Sequence, residues 1–322
     1  NVIVTAEPST TRRLLGETVP GEWTRTDPAR TPLGARLRYS ESDPSLRWRH
    51  AHGAVRYTYI ETGDGEGRWL SSQYQLHVGT YLGSRHHVRA FGPDESSSWT
   101  ALQAHSEYWD WFRLRHTVTD VHGTADMLES AFRDSDARIV ERRHTREPGP
   151  LSNGIVVVGA LVSLLVGLTV HREWAAIDEY LPSPARRNRT LAVFGLAAGS
   201  PLAIRVVGIG LSDGVALSPK LFVAVLYPCL ALGLPVAVTW SALDLPPWLA
   251  APAAGIGLAL GFALDFAVLG VAPQETVLRH RLLVAGALGL LAAGGGFRRP
   301  LSTAAGAVVW VWGLSAPLLG LL

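Results

Sequence analysis

Long apolar stretches fill the second half of the chain. A helix needs about 20 apolar residues to cross a bilayer. Six stretches approach this length, at residues 148–170, 190–212, 221–243, 248–271, 282–297 and 300–322. They predict an all-α transmembrane bundle of six helices over residues 148–322.

Two charged residues interrupt these apolar stretches. Arg205 falls in the second stretch and Asp265 in the fourth. An isolated charge in the bilayer core is costly, so it usually finds a partner. The second and fourth helices run in the same direction, which places the two residues at similar depth. We therefore predict an intramembrane ion pair of Arg205 and Asp265 that fixes helix register, with a polar conduit or ligand site as the alternative.

The first half shows the shorter alternation that is typical of strands with one buried face. The alternating runs lie at residues 54–60, 73–82, 86–91, 99–104 and 112–121. An amphipathic helix follows Thr124, which we expect to cap it, and a short helix is predicted over residues 9–16. The predicted fold class is α+β, with a mostly antiparallel, β-rich, water-facing domain at residues 1–147 before the helical domain at 148–322.

Charge is concentrated in the same first half. Residues 1–150 carry 19 of the 29 Lys and Arg residues and 20 of the 27 Asp and Glu residues. This balance argues against a nucleic-acid partner. Cys229 is the only cysteine and lies in an apolar stretch, which excludes a disulfide scaffold. The expected partners are the lipid bilayer and either other membrane or cell-surface chains or further copies of this chain.

The arginines between the apolar stretches bear on orientation. The loops opposite the first domain carry Arg172, Arg186, Arg187, Arg189, Arg298 and Arg299. The loops on its own side carry Lys220, Arg279 and Arg281. Because Lys and Arg accumulate in cytoplasmic loops, we expect a multi-pass protein of the cell membrane with residues 1–147 outside the cytoplasm. Arginines at 138, 142, 143 and 146 favour the opposite orientation.

Nine of the eleven histidines lie in residues 1–150. Imidazole is a common metal ligand, but the chain has no HExxH motif, cysteine ligand pair or acidic cluster of metal type. His86 and His87 are adjacent on a predicted strand, so they point to opposite faces. The sequence therefore predicts no metal site and no cofactor, with surface, packing or hydrogen-bonding roles for the histidines and a metal site as the alternative.

Several short motifs of the first half occur together in one known family. Residues 85–89 read RHHVR, Trp99 leads the next strand, and residues 115–118 (RHTV) run to Asp120 before a helix. Trp23 follows Gly21 after one residue. Over about residues 11–135 this pattern resembles the LssY C-terminal domain family. The family tends to have an acidic residue and an arginine where this helix opens, and this chain has residues 124–126 (TAD) instead. The resemblance implies a domain attached to a membrane protein, without a settled activity.

Three functional hypotheses follow. The first is a non-enzymatic membrane protein whose extracytoplasmic LssY-like domain is a binding or accessory module, in one form a subunit of a larger complex. Its candidate ligand-binding residues are His86, His87, Arg89, Trp99, His105, Trp109 and His116. The second is a membrane-bound hydrolase or transferase that uses this His/Arg cluster on an anionic or lipid-linked substrate. The third is a small transporter centred on Arg205 and Asp265.

Overall fold

The chain divides into two compact units. The computed structural model describes residues 2–19, 21–26, 57–61, 67–92, 97–142, 183–214, 218–295 and 298–317. The first unit comprises Asn1–Thr80, Ser84–Tyr108 and His116–Glu147, and the second comprises Tyr81–Gly83, Trp109–Arg115 and Pro148–Leu322. Two short segments of the N-terminal half therefore belong to the unit that contains the long helices.

An antiparallel sheet dominates the N-terminal region. The strands among the described residues are β1 (Val2–Val4), β2 (Glu22–Arg25), β3 (Tyr57–Glu61), β4 (Gly67–Ser71), β5 (Tyr74–Gly79), β6 (Ser84–Phe91), β7 (Thr100–Asp110), β8 (Arg115–Asp120) and β9 (Ile139–Arg142). The main sheet has the order β2-β5-β6-β7-β1-β9, with β8 also paired to β7, and β3 pairs with β4 in a separate hairpin. The helices of this region are α1 (Pro8–Thr18) and α2 (His122–Phe132).

One face of the main sheet is apolar and packs against α1 and α2. Leu76, Val88 and Ala104 lie opposite one another on β5, β6 and β7, and all three are buried. Leu15 of α1 and Leu128 of α2 are fully buried in the same core. Because successive side chains of a strand alternate between faces, the residues between these apolar positions lie on the other face of the sheet.

The second region is helical. Its helices among the described residues are α3 (Pro184–Gly214), α4 (Pro219–Pro228), α5 (Leu234–Ser241), α6 (Pro247–Leu269), α7 (Glu275–Gly294) and α8 (Pro300–Ser315). A π-helical segment, Cys229–Gly233, joins α4 to α5. Within the part of the chain that the structure describes, four spans are long and apolar enough to cross a membrane: Pro184–Ser212, Pro219–Ser241, Pro247–Leu269 and Glu275–Gly294. The prediction of an antiparallel sheet followed by apolar helices is confirmed, whereas the number of six membrane-spanning helices stays a prediction.

The predicted six-helix bundle is described only in part. The first predicted span, residues 148–170, lies outside the described residues. The last predicted span, residues 300–322, contains α8, which has 16 residues. The fifth was expected to begin at residue 282, but α7 begins at Glu275. Arg281, which was predicted to lie in a loop, is a buried residue of this helix. Burial of its charge is possible because Asp110 accepts a hydrogen bond from it. The rings of Phe112 and Phe262 lie against its guanidinium.

The start of α2 differs from the sequence prediction. Thr124 was expected to cap the helix, but its hydroxyl contacts His86 and Ser106 instead. The backbone N–H groups of His122 and Gly123 donate to the carboxylate of Asp120, over 3.0 Å and 2.6 Å. A carboxylate is favoured at this end of a helix because the unpaired N–H groups carry partial positive charge.

Helices α3 and α6 approach closely through glycines of α6. A Cβ atom on Gly257 would lie 2.8 Å from the carbonyl oxygen of Phe194, and one on Gly261 would lie 2.5 Å from that of Ala198. These separations are too short for real Cβ contacts, so only glycine permits the observed packing. Small residues four positions apart allow this kind of approach between membrane helices.

This packing predicts the effect of adding one methyl group at two matched glycines. Gly261→Ala should lower the stability of the detergent-solubilised chain by about 1–3 kcal/mol because the added Cβ overpacks the contact with α3. Gly199→Ala on α3 is the control, since its Cβ would meet no described atom within 4 Å. Thermal unfolding of both variants measures the difference. Equal losses of stability would contradict this packing of the helices.

Candidate functional site

Three histidines form a row across neighbouring strands of the main sheet, on the face away from α1 and α2. His77 on β5 lies directly opposite His87 on β6, and His87 lies opposite His105 on β7. The rings of His77 and His87 are stacked with centroids 4.3 Å apart, and those of His87 and His105 meet edge-on at 5.1 Å. These separations are close to the spacing of adjacent strands, about 4.8 Å, so the strand register alone produces the row.

The carboxylate of Glu107 lies at the centre of the contacts around this row. Its Oε2 is 3.2 Å from Nε2 of His105 and 3.7 Å from Nδ1 of His87. Its Oε1 accepts a 2.8 Å hydrogen bond from Nε of Arg85, whose second nitrogen is 2.7 Å away. The Glu107 side chain is 7% exposed. We call His77, Arg85, His87, His105 and Glu107 together the histidine cluster.

Two further predicted candidates join the histidine cluster at its edges. Nε of Arg89 donates to Nε2 of His87 over 3.3 Å. Nδ1 of His116 on β8 lies 3.4 Å from a guanidinium nitrogen of Arg85. The structure therefore brings together four of the seven candidate ligand-binding residues: His87, Arg89, His105 and His116.

Burial and hydrogen bonding set the charges in the cluster. Burial lowers the pKa of His77 to about 3, with a further contribution from His87, and burial lowers the pKa of His87 to about 4. Burial alone would raise the pKa of Glu107, but hydrogen bonds from His105 and His87 outweigh it and hold this pKa below its usual range. At neutral pH the cluster therefore holds neutral imidazoles at His77 and His87 beside an ionised carboxylate.

His86 lies on the opposite face of the sheet from His87, as strand alternation predicts. Its Nδ1 is 2.8 Å from the hydroxyl of Thr124 and 3.1 Å from that of Ser106, and the two hydroxyls are 2.8 Å apart. Burial lowers the pKa of His86. This polar group faces the start of α2, so His86 does not contribute to the histidine cluster.

The two candidate tryptophans also lie elsewhere. Trp99 is partly buried and packs against the small apolar core that contains Leu70, Phe91 and Ala101. Trp109 belongs to the second unit, where its ring stacks on Tyr81 at 5.7 Å and meets Trp111 edge-on at 6.1 Å. Both rings fill apolar packing positions.

The predicted partners Arg205 and Asp265 form a bidentate ion pair in the second unit. Nε of Arg205 donates to Oδ1 of Asp265 over 2.7 Å, and NH2 donates to Oδ2 over 2.9 Å. NH1 donates to the carbonyl oxygen of Leu82 over 2.5 Å. The Arg205 side chain is 0% exposed. All three of its nitrogens thus make a hydrogen bond, which removes much of the cost of burying this charge.

A second buried ion pair in this unit joins Arg281 to Asp110. Oδ1 of Asp110 also accepts the backbone N–H groups of Phe112 and Arg113, over 3.0 Å and 3.1 Å. The guanidinium of Arg281 lies 4.6 Å from the ring centre of Phe112. Nothing in the sequence around Asp110 indicates a partner on a distant helix.

Sequence reasoning missed three members of the histidine cluster: His77, Arg85 and Glu107. His105 and Glu107 are two residues apart on one strand, which places them on one face. The turn between β5 and β6 pairs Gly79 with Arg85 and hence His77 with His87. This short turn was visible in the sequence and is the signal by which His77 could have been found.

The histidine cluster offers three imidazoles and a carboxylate for binding a cation, for hydrogen bonding or for proton transfer. Ligand atoms of His77, His87 and Glu107 all lie within 4.8 Å of one another. Comparison of the chain with models of known protein families, with curated proteins and with solved structures finds no match. The LssY-like assignment therefore stays a prediction, and the site is interpreted from its own geometry.

The buried contact between Arg85 and Glu107 predicts a large effect of removing one partner. Glu107→Gln should destabilise the chain by about 3–5 kcal/mol, because a guanidinium whose side chain is 10% exposed then loses this counter-charge. Glu17→Gln is the matched control, since Glu17 pairs with Arg13 on the surface with side chains 57% and 61% exposed. An exposed pair contributes about 0–1 kcal/mol. Thermal or denaturant unfolding measures both, and similar losses would contradict the buried arrangement.

Proposed function

We propose that the chain is a multi-pass protein of the cell membrane and that its N-terminal domain is an extracytoplasmic binding or accessory module. In this proposal residues 1–147 form an LssY-like domain, and six helices in residues 148–322 anchor it. The module contacts another membrane or cell-surface chain or a second copy of itself, within a larger assembly.

The burial and hydrogen bonding of Arg205 are the observation that favours this proposal over a transporter. A transport pathway needs water or substrate to reach its charged residues, as intramembrane charges in transporters line cavities. The Arg205 side chain is 0% exposed, and its nitrogens donate to Asp265 and Leu82. A charge that is shielded from solvent and hydrogen-bonded at each nitrogen supports a structural ion pair within an anchor.

The lengths of the helices support the anchoring role. Four described spans have membrane length and composition. The apolar helix α8 and the uncharged residues 148–170 supply the two further spans of the proposal. On the face expected to be cytoplasmic, Arg189 and Arg298 both pair with Asp244. These two arginines outnumber the aspartate that they share, and an excess of arginine on this face supports the proposed orientation.

A membrane-bound enzyme is the second candidate, and the convergence of His87, Arg89, His105 and His116 favours it. A hydrolase or transferase needs a nucleophile or an activated water beside such a base. Among the described residues, the serine hydroxyl that contacts an imidazole is that of Ser106. Its partner is His86, which lies on the face of the sheet opposite the histidine cluster. The geometry therefore supports binding better than group transfer.

Cross-linking on intact cells tests orientation and binding together. In a Cys229→Ser chain, a single cysteine is placed at Asp134, which is exposed in the first unit, or at Asn188, which is exposed at the start of α3. A thiol-to-amine cross-linker that does not cross membranes is then added outside the cells. Asp134→Cys should give a discrete adduct whose partner mass spectrometry identifies, and Asn188→Cys should give none.

Each part of the proposal has its own contradicting result. If Asp134→Cys reacts only after the cells are permeabilised, the proposed orientation is wrong. If it reacts in intact cells but only with the reagent and never with a second chain, the binding role is wrong.

A further inference from the structure

The histidine cluster has the donor set of a transition-metal site. His77, His87 and His105 occupy directly opposed positions on three adjacent strands, and Glu107 follows on the same face. Imidazole nitrogen and carboxylate oxygen are ligands that zinc and its neighbours accept. Rigid neighbouring strands hold such ligands more firmly than loops do, because the sheet hydrogen bonds fix their spacing.

The distances fit a metal ion after small side-chain movements. A tetrahedral zinc ion with bonds of about 2.0–2.1 Å separates its ligand atoms by about 3.4 Å. Oε2 of Glu107 is 3.2 Å from His105 and 3.7 Å from His87. The ligand atoms of His77, His87 and Glu107 lie within 4.8 Å of one another. The 4.8 Å limit exceeds the tetrahedral separation, so binding requires rotation of these side chains.

The surroundings favour neutral ligands and an oriented carboxylate. Burial lowers the pKa values of His77 and His87, so both present unprotonated nitrogen at neutral pH. Arg85 binds Oε1 of Glu107 and leaves Oε2 directed at the histidines. Hydrogen bonds of this kind orient metal ligands in many sites. The positive charge of Arg85 opposes a cation, which sets a limit on the affinity.

We propose that His77, His87, His105 and Glu107 bind one divalent transition-metal ion of the zinc class. This proposal differs from the prediction from sequence, which has no metal site. Without metal, Glu107 accepts a hydrogen bond from His105 and lies 3.7 Å from Nδ1 of His87; with metal, the nitrogens that face Glu107 lose their protons to the other ring nitrogens and bind the ion. Arg89, which donates to Nε2 of His87, then has to release that bond.

The site lies wholly within the first unit, so its test is independent of the membrane role proposed above. The full-length chain, purified in detergent through a tag without histidine, is stripped with a chelator. It is then titrated with Co²⁺, whose visible absorption reports tetrahedral coordination, and with Zn²⁺ in competition. We expect one ion per chain with a dissociation constant below micromolar.

Variants separate this site from other histidines. His77→Ala, at a half-buried position, and Glu107→Ala should each weaken Co²⁺ binding at least about a hundredfold. His86→Ala is the matched control, because it removes the adjacent histidine on the opposite face and should leave the affinity unchanged. Binding that persists in His77→Ala and in Glu107→Ala, or that is lost in His86→Ala, overturns the proposal.

A measurement on the unmodified chain guards against variants that fail to fold. X-ray absorption of the zinc-loaded protein should show nitrogen and oxygen neighbours at about 2.0 Å, with the outer-shell scattering of at least two imidazoles. Less than one tenth of an equivalent of zinc retained after desalting, or a spectrum of hydrated zinc, rejects the site without reference to any variant.

Discussion

Ionised groups away from water need an opposite charge and hydrogen bonds within reach, and both units of this chain are arranged around that requirement. Removing one partner of a buried ion pair costs about 3–5 kcal/mol, which is comparable to the stability of many domains. In the first unit Arg85 and Glu107 satisfy each other among histidines. In the second unit Arg205 pairs with Asp265 and Arg281 pairs with Asp110. Each pair joins two elements of one unit and therefore restricts how those elements pack.

The two kinds of buried charge have different functional consequences. Arg205 has each of its nitrogens in a hydrogen bond and is fully buried, which supports a structural role between α3 and α6. The carboxylate of Glu107 is surrounded by imidazoles, whose nitrogens are the donor atoms of the proposed metal site. The helical unit therefore supports an anchor, and the sheet supports the site where binding chemistry is concentrated.

The ion pair of Arg205 with Asp265 was predictable because span length and helix direction fix the depth of a residue. The opposed faces of His86 and His87 followed from strand alternation. The row from His87 to His105 was not predictable, because a connection of eight residues (92–99) joins β6 to β7 and its length does not fix the strand register. The start of α7 was missed for a related reason: hydropathy counts the charge of Arg281 but contains no information about Asp110, 171 residues away.

Thermodynamic coupling between Arg205 and Asp265 tests the anchor interpretation most directly. The unfolding of the detergent-solubilised chain is compared for Arg205→Met, Asp265→Leu, the double variant and the unmodified chain. Each single variant should lose about 3–5 kcal/mol, and the double variant should recover most of that loss, because apolar residues replace a dry ion pair well. Additive losses in the double variant would contradict a mutual, water-excluded pair and would favour a solvated pathway through the helices.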